Sequence, residues 1–349
     1  MSHLLASPLT GWARLCALTA LLAGACAAAS SSLASAQTAP DTVRLVFVGD
    51  VMLDDGPGKA IAEGRDPLAP FASRLTDADF TIGNLEVPVA TVGKPMDSKI
   101  FSFRAHPRVM GVLQGRFDAL ALANNHSGDY GKEAFLETMQ HLDAAGIARF
   151  GGGRNLAEAH EPLWVRKNGL KIAVLAYNEF KPRSFEAGAD TPGIAWSEDS
   201  HVVADIRAAR AAGADLVIPY MHWGWERERQ PSQRQRQLAR LMIDNGADVV
   251  VGGHPHVTQG VEMHRGKLIV YSLGNFVFDS FEDVPGGQTG WLLRLTLSRQ
   301  GLQSWDTLAA HMDLEGIPHP RPGDLSPCGV KRPGQPPGTP QTIGECAHP

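Results

Sequence analysis

Short apolar runs alternate with helical patterns through the middle of the chain, and this alternation restricts the fold more than any other feature of the sequence. Helical stretches at 132–145, 201–212 and 233–245 carry apolar residues at a spacing of three to four. Strands that are buried on both faces read as continuous Val, Ile and Leu runs, which is typical of parallel βαβ units. The sequence therefore predicts an α/β fold with strands at 43–48, 80–82, 119–123, 172–177, 216–220, 248–251 and 268–272.

Beyond residue 257 the pattern changes. Runs at 261–264 and 268–272 flank Gly266-Lys267, which indicates a hairpin, and 291–298 is a further strand-like run. We expect these segments to be antiparallel additions to the parallel strands. A chain of this size then favours one domain over 43–312, built as a sandwich of two mixed β-sheets with helices on the outside.

Four of the strand-like runs begin at an aspartate and end, six or seven residues later, at a polar residue that is able to bind metal. A strand rises about 3.3 Å per residue, so we expect these ends to meet at one carboxyl edge of a sheet. Ligands bind at that edge in open α/β sheets. The runs start at Asp79, Asp118, Asp215 and Asp248 and lead to Glu86, Asn125, His222 and His254.

His254 and His256 form the strongest candidate metal-binding pair. They flank Pro255 after two glycines, and imidazoles at i and i+2 of an extended segment point to the same side, so both can reach one metal or two adjacent metals. The alternative is a pair of polar histidines on a surface turn. Asp50 follows the first predicted strand and offers a carboxylate to the same edge, or else caps the following loop.

Asn84 and Glu86 have the same i, i+2 spacing, which turns an amide oxygen and a carboxylate to one side for a cation or substrate. A local salt bridge is the alternative role for Glu86. His222 ends another predicted strand and is a ligand candidate, and Glu226 close behind it is a candidate to support the ligands or to contact substrate. Asn275 lies just beyond a buried strand, where a structural role in a turn and a substrate contact are both open.

Residues 124–131 place several hydrogen-bonding side chains between a buried strand and a helix. Asn125 can give its carbonyl oxygen to a metal, and Asn124 beside it is a candidate substrate contact. His126 is placed to act as a general acid or to hold an anionic oxygen. Asp129 either orients His126 or caps the helix.

Residues 1–36 have the pattern of a signal peptide. Arg14 is their one formal charge, an apolar run follows at 15–29, and Ala34-Ser35-Ala36 precedes Gln37 as a cleavage step. This pattern predicts a periplasmic or secreted protein. A retained N-terminal anchor and acylation at Cys26 are the alternatives.

Removal of residues 1–36 leaves 31 Lys and Arg against 37 Asp and Glu, without a basic block, which disfavours nucleic-acid binding. Residues 313–349 contain nine of the 24 prolines and predict an irregular tail. Cys328 and Cys346 are the two remaining cysteines, and in an oxidising compartment we expect one disulfide that pins this tail.

Taken together, six ordered motifs closely resemble the CapA-type poly-γ-glutamate capsule-biosynthesis family over about residues 43–297. That family is similar to the calcineurin-like metallophosphoesterases, which have a two-sheet sandwich flanked by helices and a dinuclear metal site at the strand ends. The motifs are Val48-Gly49-Asp50-Val51-Met52-Leu53, Gly83-Asn84-Leu85-Glu86, Asn124-Asn125-His126 with Asp129-Tyr130-Gly131, His222-Trp223-Gly224 with Glu226, Gly253-His254-Pro255-His256, and Tyr271-Ser272-Leu273-Gly274-Asn275-Phe276.

The resemblance implies one or two divalent ions, of Mn, Zn, Fe or Mg, and His126 as the catalytic histidine. The ligands that it implies are Asp50, Asn125, His222, His254 and His256. Met52 stands where the phosphoesterase pattern has a histidine, and Asn84 stands where it has a bridging aspartate. An amide cannot bridge two cations as a carboxylate does, so a dinuclear centre requires Glu86 to take that place.

For function, the resemblance implies an exported protein that acts in the synthesis, release or processing of an anionic polymer such as poly-γ-glutamate. Metal-assisted hydrolysis of a phosphoester or a γ-glutamyl bond is the expected chemistry, with His126 protonating the leaving group. One alternative is a non-catalytic accessory protein that binds the polymer or a membrane synthase. Another is a general secreted metallophosphatase that acts on phosphorylated small molecules.

Overall fold

A computed structural model describes residues 42–97, 99–181, 183–279, 281–330 and 341–347. The predicted signal segment 1–36, including Cys26, lies outside the described residues. None of the helices in the described ranges has the length and apolar character needed to span a bilayer.

All seven predicted parallel-type strands and all three predicted helices are present, with boundaries within a few residues. The strands are β1 (Thr42–Val51), β2 (Phe80–Leu85), β3 (Ala119–Ala121), β4 (Ala148–Phe150), β5 (Gly152–Gly153), β6 (Leu163–Lys167), β7 (Leu170–Asn178), β8 (Gly193–Ile194), β9 (Leu216–His222), β10 (Val249–Gly253), β11 (Thr258–His264), β12 (Lys267–Leu273), β13 (Asn275–Val277), β14 (Thr289–Ser298), β15 (Gly301–Met312), β16 (Pro318–Pro320), β17 (Leu325–Val330) and β18 (Thr342–Ala347). The α-helices are α1 (Asp55–Ala62), α2 (Ala72–Thr76), α3 (Met110–Leu113), α4 (Gly131–Ala145), α5 (Leu156–Ala159), α6 (Asp199–Ala211) and α7 (Gln233–Asp244), and short 3₁₀ helices cover Ala69–Phe71, Pro107–Val109 and Arg183–Phe185.

Two mixed sheets organise the chain. The larger has the order β18-β17-β15-β14-β1-β2-β3-β4, with β13 beside β1 and β16 beside β15, and the smaller has the order β11-β12-β10-β9-β7-β6. The strands β1 to β4 are parallel, as are β7, β9, β10 and β12, whereas β14 and β11 join antiparallel. The predicted hairpin turns at Arg265-Gly266, one residue earlier than expected, because both residues adopt the positive φ that a tight hairpin turn requires.

Three apolar layers hold the sheets and helices together. Adjacent residues of β1 enter different layers, since side chains alternate along a strand: Phe47 packs between the sheets, and Val48 packs toward α4 and Phe135. On the far side, Ile206 of α6 and Leu238 of α7 cover the smaller sheet. The result is the α/β/β/α arrangement that the sequence predicts.

The tail is not irregular in its described part, which corrects the expectation for 313–349. It supplies β16, β17 and β18, and β17 and β18 extend the larger sheet beyond β15. Pro318 and Pro320 stand at the two ends of β16, where a strand tolerates a missing N–H, so the proline content hid the strands. A disulfide joins Cys328 to Cys346, with the Cα atoms 5.8 Å apart.

Removal of this disulfide is expected to destabilise the fold. The bond closes a loop with a sequence separation of 18 residues, and in the chain-entropy account such a cross-link contributes about 3 kcal/mol. We expect the free energy of unfolding of the Cys328→Ser, Cys346→Ser double variant to be about 3 kcal/mol lower than that of the wild type, and its urea midpoint to be lower as a result. A reductant should lower the midpoint of the wild type and leave the variant unchanged, whereas equal midpoints of the two oxidised proteins would contradict the prediction.

Candidate metal centre

The predicted polar strand ends lie close together in space. They come from two different sheets, and not from one edge of a single sheet as expected. Glu86 follows β2 and Asn125 follows β3 of the larger sheet, whereas His222 ends β9 and His254 follows β10 of the smaller sheet. Asn125 Oδ1 lies 2.6 Å from His222 Nε2, and Glu86 Oε1 lies 3.3 Å from the same nitrogen. The two sheets therefore contribute opposite walls of one buried site.

Glu86 lies at the centre of this site. Two overlapping groups of ligand atoms fit a cation, one from Glu86, His222 and His254 and the other from Asp50, Glu86 and His256, and within each group the atoms lie within 4.8 Å of one another. Both carboxylate oxygens of Glu86, and Nε2 of His254, are buried without a hydrogen-bond partner among the described residues. A buried carboxylate without a partner is costly, and a cation removes that cost.

Burial also sets the protonation of the site. Desolvation, followed by the charge of Glu86, raises the pKa of Asp50 to about 8, and desolvation raises the pKa of Glu86 well above its ordinary value. Desolvation lowers the pKa of His222 to about 4 and that of His256 to about 3. The imidazoles are therefore neutral at neutral pH, which is the form that binds a metal. Carboxylate and imidazole ligands of this kind suit Zn, Mn or Fe.

Asn84 and Asn124 hold Asp50 and the loop after β3 through hydrogen bonds. Asn84 Nδ2 donates to Asp50 Oδ1 at 2.8 Å, and Asn84 Oδ1 accepts from Asn124 Nδ2 at 2.9 Å. Asn124 also donates to the Leu85 carbonyl and accepts from the backbone N–H of His126. In the structure these buried amides orient Asp50 and the loop after β3, and a substrate contact of either one stays a prediction.

The backbone of the His-Pro-His segment is left-handed at both histidines, with φ of 95° at His254 and 56° at His256. It is thus a strained turn and not the extended segment that was expected. The turn still directs both rings toward the site. His256 Nδ1 lies 2.8 Å from Asn275 Oδ1, and donation along this bond leaves Nε2 free for a cation. Asn275 is fully buried and positions His256, which favours its structural role.

His126 has the arrangement of a positioned acid or base. Its Nδ1 lies 2.7 Å from Asp129 Oδ2, and its ring packs on Phe103 with centroids 4.7 Å apart. The ring hydrogen bonds of His126 with other described residues are at Nδ1, which also lies 3.2 Å from Lys99 Nζ, and none is at Nε2. Burial lowers the pKa of His126, and the hydrogen bond to Asp129 opposes that effect. Asp129 therefore orients His126, and it does not cap α4, whose N-cap is Tyr130.

Sequence reasoning missed Lys99. Its ammonium forms an ion pair with Asp129 and donates to the Asn125 carbonyl at 2.9 Å, and its side chain is only 12% exposed. It lies in the loop between β2 and β3, where no periodic pattern or neighbouring ligand marks it. A lone lysine in such a loop gives no sequence signal, because its partner Asp129 is 30 residues away.

The mouth of the site is formed by the loop after β9. Trp225 is 63% exposed and contacts Phe180 edge-on, and Phe180 packs on His254 with ring centroids 3.9 Å apart. Glu226 is exposed in the same loop, and its charge acts on Glu86. Arg227, also missed, has a φ of 68°, and its N–H donates to the Pro255 carbonyl at 2.8 Å. The loop is thus tied to the His-Pro-His turn.

The chain is similar to capsule proteins of several bacteria. It is 35% identical over 244 residues to the PGA biosynthesis protein CapA of Bacillus subtilis, which covers 68% of this chain and 64% of that protein. It is 33% identical over 256 residues to the capsule biosynthesis protein CapA of Bacillus anthracis, which covers 68% and 60%. These matches span less than two thirds of either Bacillus protein. A probable polyglutamine synthesis accessory protein of Mycobacterium tuberculosis is 30% identical over 297 residues, with 72% and 78% covered.

Among solved structures, the NAD nucleotidase of Haemophilus influenzae matches with a TM-score of 0.46 and 13% identity, over 81% of this chain and 54% of that chain. The calcineurin-like phosphoesterase YfkN of Bacillus subtilis matches with a TM-score of 0.42 and 14% identity, over 74% and 85%.

Residues 44–280 match the family described as bacterial capsule synthesis protein PGA_cap. The matched range holds the four polar strand ends, Asp50 and the loop with His126, so it contains the whole candidate metal centre. On the extent of this match and the identity to the curated relatives, the chain belongs to the bacterial capsule synthesis protein family PGA_cap, as its six ordered motifs predicted.

Proposed function

We propose that this protein is a metal-dependent hydrolase that acts on an anionic polymer such as poly-γ-glutamate in capsule synthesis. The observation that carries the proposal is Glu86, which belongs to both groups of ligand atoms and whose two buried oxygens have no hydrogen-bond partner among the described residues. The names of the two Bacillus relatives support the choice of polymer. The bond to be cleaved is a phosphoester or a γ-glutamyl amide.

The residues that would hold one or two divalent ions are Asp50, Glu86, His222, His254 and His256, with the Asn125 oxygen beside His222. A divalent cation supplies Lewis-acid polarisation of the scissile group when it is bound. Glu86 belongs to both groups, so its carboxylate, unlike the amide of Asn84, would be able to serve two cations.

His126 is assigned to proton transfer. The hydrogen bond from Nδ1 to Asp129 fixes the ring, and in the imidazolium form Nε2 carries the proton that passes to the leaving group, which leaves a neutral ring. Lys99 pairs with Oδ1 of Asp129, the oxygen that His126 does not use, and so helps to keep the pair in place. At the mouth, exposed Arg227 places a positive charge next to the His-Pro-His turn, which favours an anionic substrate.

Replacement of His126 by glutamine should lower kcat about 100-fold or more, which is the usual contribution of a positioned general acid. The metal content should not change, because His126 belongs to neither ligand group. Hydrolysis of a γ-glutamyl polymer and of model phosphoesters gives the rate, and elemental analysis gives the metal content.

His319→Gln is the matched control, since His319 is 48% exposed and pairs with Asp313 outside the site. It should retain the wild-type rate. An unchanged kcat in His126→Gln would contradict the assigned role. Hydrolysis of phosphoesters without hydrolysis of the polymer would replace the proposed substrate by a phosphorylated small molecule.

A second candidate is a non-catalytic accessory protein that binds the polymer or a membrane synthase. Met52 favours it, because this buried thioether accepts from the Asp54 N–H and contributes no ligand where phosphoesterases have a histidine. The name of the mycobacterial relative also points to an accessory role. Stoichiometric polymer binding by metal-loaded protein, without any product, would select this candidate.

A further inference from the structure

A second cleft, of about 390 Å³, lies beside the metal centre and belongs to none of the roles assigned so far. The loop between β13 and β14 forms one side, with Glu282 and Asp283, and the segment after β16 brings Arg321 to it. The floor is the paired start of β14 and end of β15. There Thr289 lies opposite His311, and Thr289 Oγ1 lies 3.2 Å from His311 Nδ1.

The loop that lines the cleft also contacts the metal centre. Phe281, next to the acidic pair, packs on the His256 ring with centroids 4.6 Å apart. On the same loop, the Gly287 carbonyl accepts from Asn275 Nδ2 at 3.2 Å, and Asn275 is the residue that orients His256. One loop thus contacts the metal centre and lines the cleft, which makes the cleft a candidate place for the end of an extended molecule that is bound at the centre.

Acidic and basic side chains of described residues both line this cleft, and they do not form ion pairs with one another. The side chains of Glu282, Asp283 and Arg321 are exposed, and none has an ion pair or hydrogen bond with another described residue. His311, by contrast, is already paired with Asp324. A group that complements the free charges carries a carboxylate for Arg321 and an ammonium for the acidic pair.

We infer that this cleft binds the zwitterionic amino-acid end of the substrate, that is, a residue with a free α-ammonium and a free α-carboxylate. The inference rests on the proposed function for the identity of the chain that extends to the metal centre. The amino-terminal residue of a γ-linked glutamyl chain has this chemistry, because its side-chain carboxyl forms the linkage and leaves both α-groups free.

L-glutamate and N-acetyl-L-glutamate are the probes, titrated by NMR into protein that has been treated with chelator. The two probes differ in the ammonium. We expect the wild type to bind N-acetyl-L-glutamate about tenfold more weakly than L-glutamate. We also expect Arg321→Gln to bind L-glutamate about tenfold more weakly than the wild type does. In the Glu282→Gln, Asp283→Asn double variant, the two probes should bind equally weakly, because the partner of the ammonium is gone.

Arg166→Gln is the matched control, an exposed arginine on the edge strand β6 of the smaller sheet, and it should bind L-glutamate as the wild type does. Equal affinity of wild type and Arg321→Gln would overturn the inference, as would the absence of binding to the wild type. Equal affinity of the wild type for both probes would overturn the zwitterion assignment. The titration contains no metal and measures binding alone. Its result can therefore be interpreted even if the protein shows no hydrolase activity.

Discussion

Replacement of Glu86 by glutamine is expected to lower the affinity of the protein for divalent metal at least about 100-fold. Glu86 is the one residue common to both groups of ligand atoms, so its loss affects either a mononuclear or a dinuclear centre. The loss of a supporting residue alone costs 10- to 100-fold, and a direct ligand costs no less. Elemental analysis after dialysis and calorimetric titration of Mn or Zn measure the effect.

We do not expect the loss of metal affinity in Glu86→Gln to result from unfolding. Burial raises the pKa of Glu86 well above its ordinary value, so the metal-free wild type favours a protonated, neutral carboxyl there, and a neutral amide is a close substitute. We therefore expect metal-free Glu86→Gln to be at least as stable as the metal-free wild type. Glu226→Gln is the control, since Glu226 is close by and exposed but belongs to neither group. Full metal content in Glu86→Gln would contradict the centre described above.

Replacement of Gly49 by alanine is expected to destabilise the protein by about 4 kcal/mol or more. A Cβ at Gly49 would lie 1.9 Å from the carbonyl oxygen of Gly274. The same oxygen accepts the N–H of Asp50 at 3.0 Å, so relief of the clash separates β1 from β13 and moves Asp50. The obstacle is backbone, and no side-chain rotation can remove it. Urea unfolding of the metal-free variant measures the cost.

Gly260→Ala provides the matched comparison, because Gly260 also lies in a strand, β11, but has no atom within 4 Å of the added Cβ. That variant should equal the wild type or gain slightly, since alanine restricts the unfolded chain more than glycine does. Similar stabilities of the two variants would show that the approach of β1 to Gly274 is looser than described.

The sequence was most informative about local structure and about the chemistry at strand ends. The seven parallel-type strands, the long helices and the clustering of Asp50, Glu86, His222, His254 and His256 could be predicted, because strand periodicity is local and carboxylates or imidazoles at the ends of buried strands are conspicuous. The roles of Asn84 and Asn124 could not be predicted from the sequence. Whether Asn84 contacts a substrate or holds Asp50 depends on a partner 34 residues away.

The sequence by itself determined the layers of the fold and the residue types at the candidate centre. Tertiary structure alone decided that the strand ends belong to two sheets, that Lys99 holds Asp129, and that β17 and β18 extend the larger sheet. It also decided that Glu86 joins the two ligand groups. The reason is that periodicity depends on neighbouring residues, whereas the partner of a buried polar atom depends on packing between distant segments.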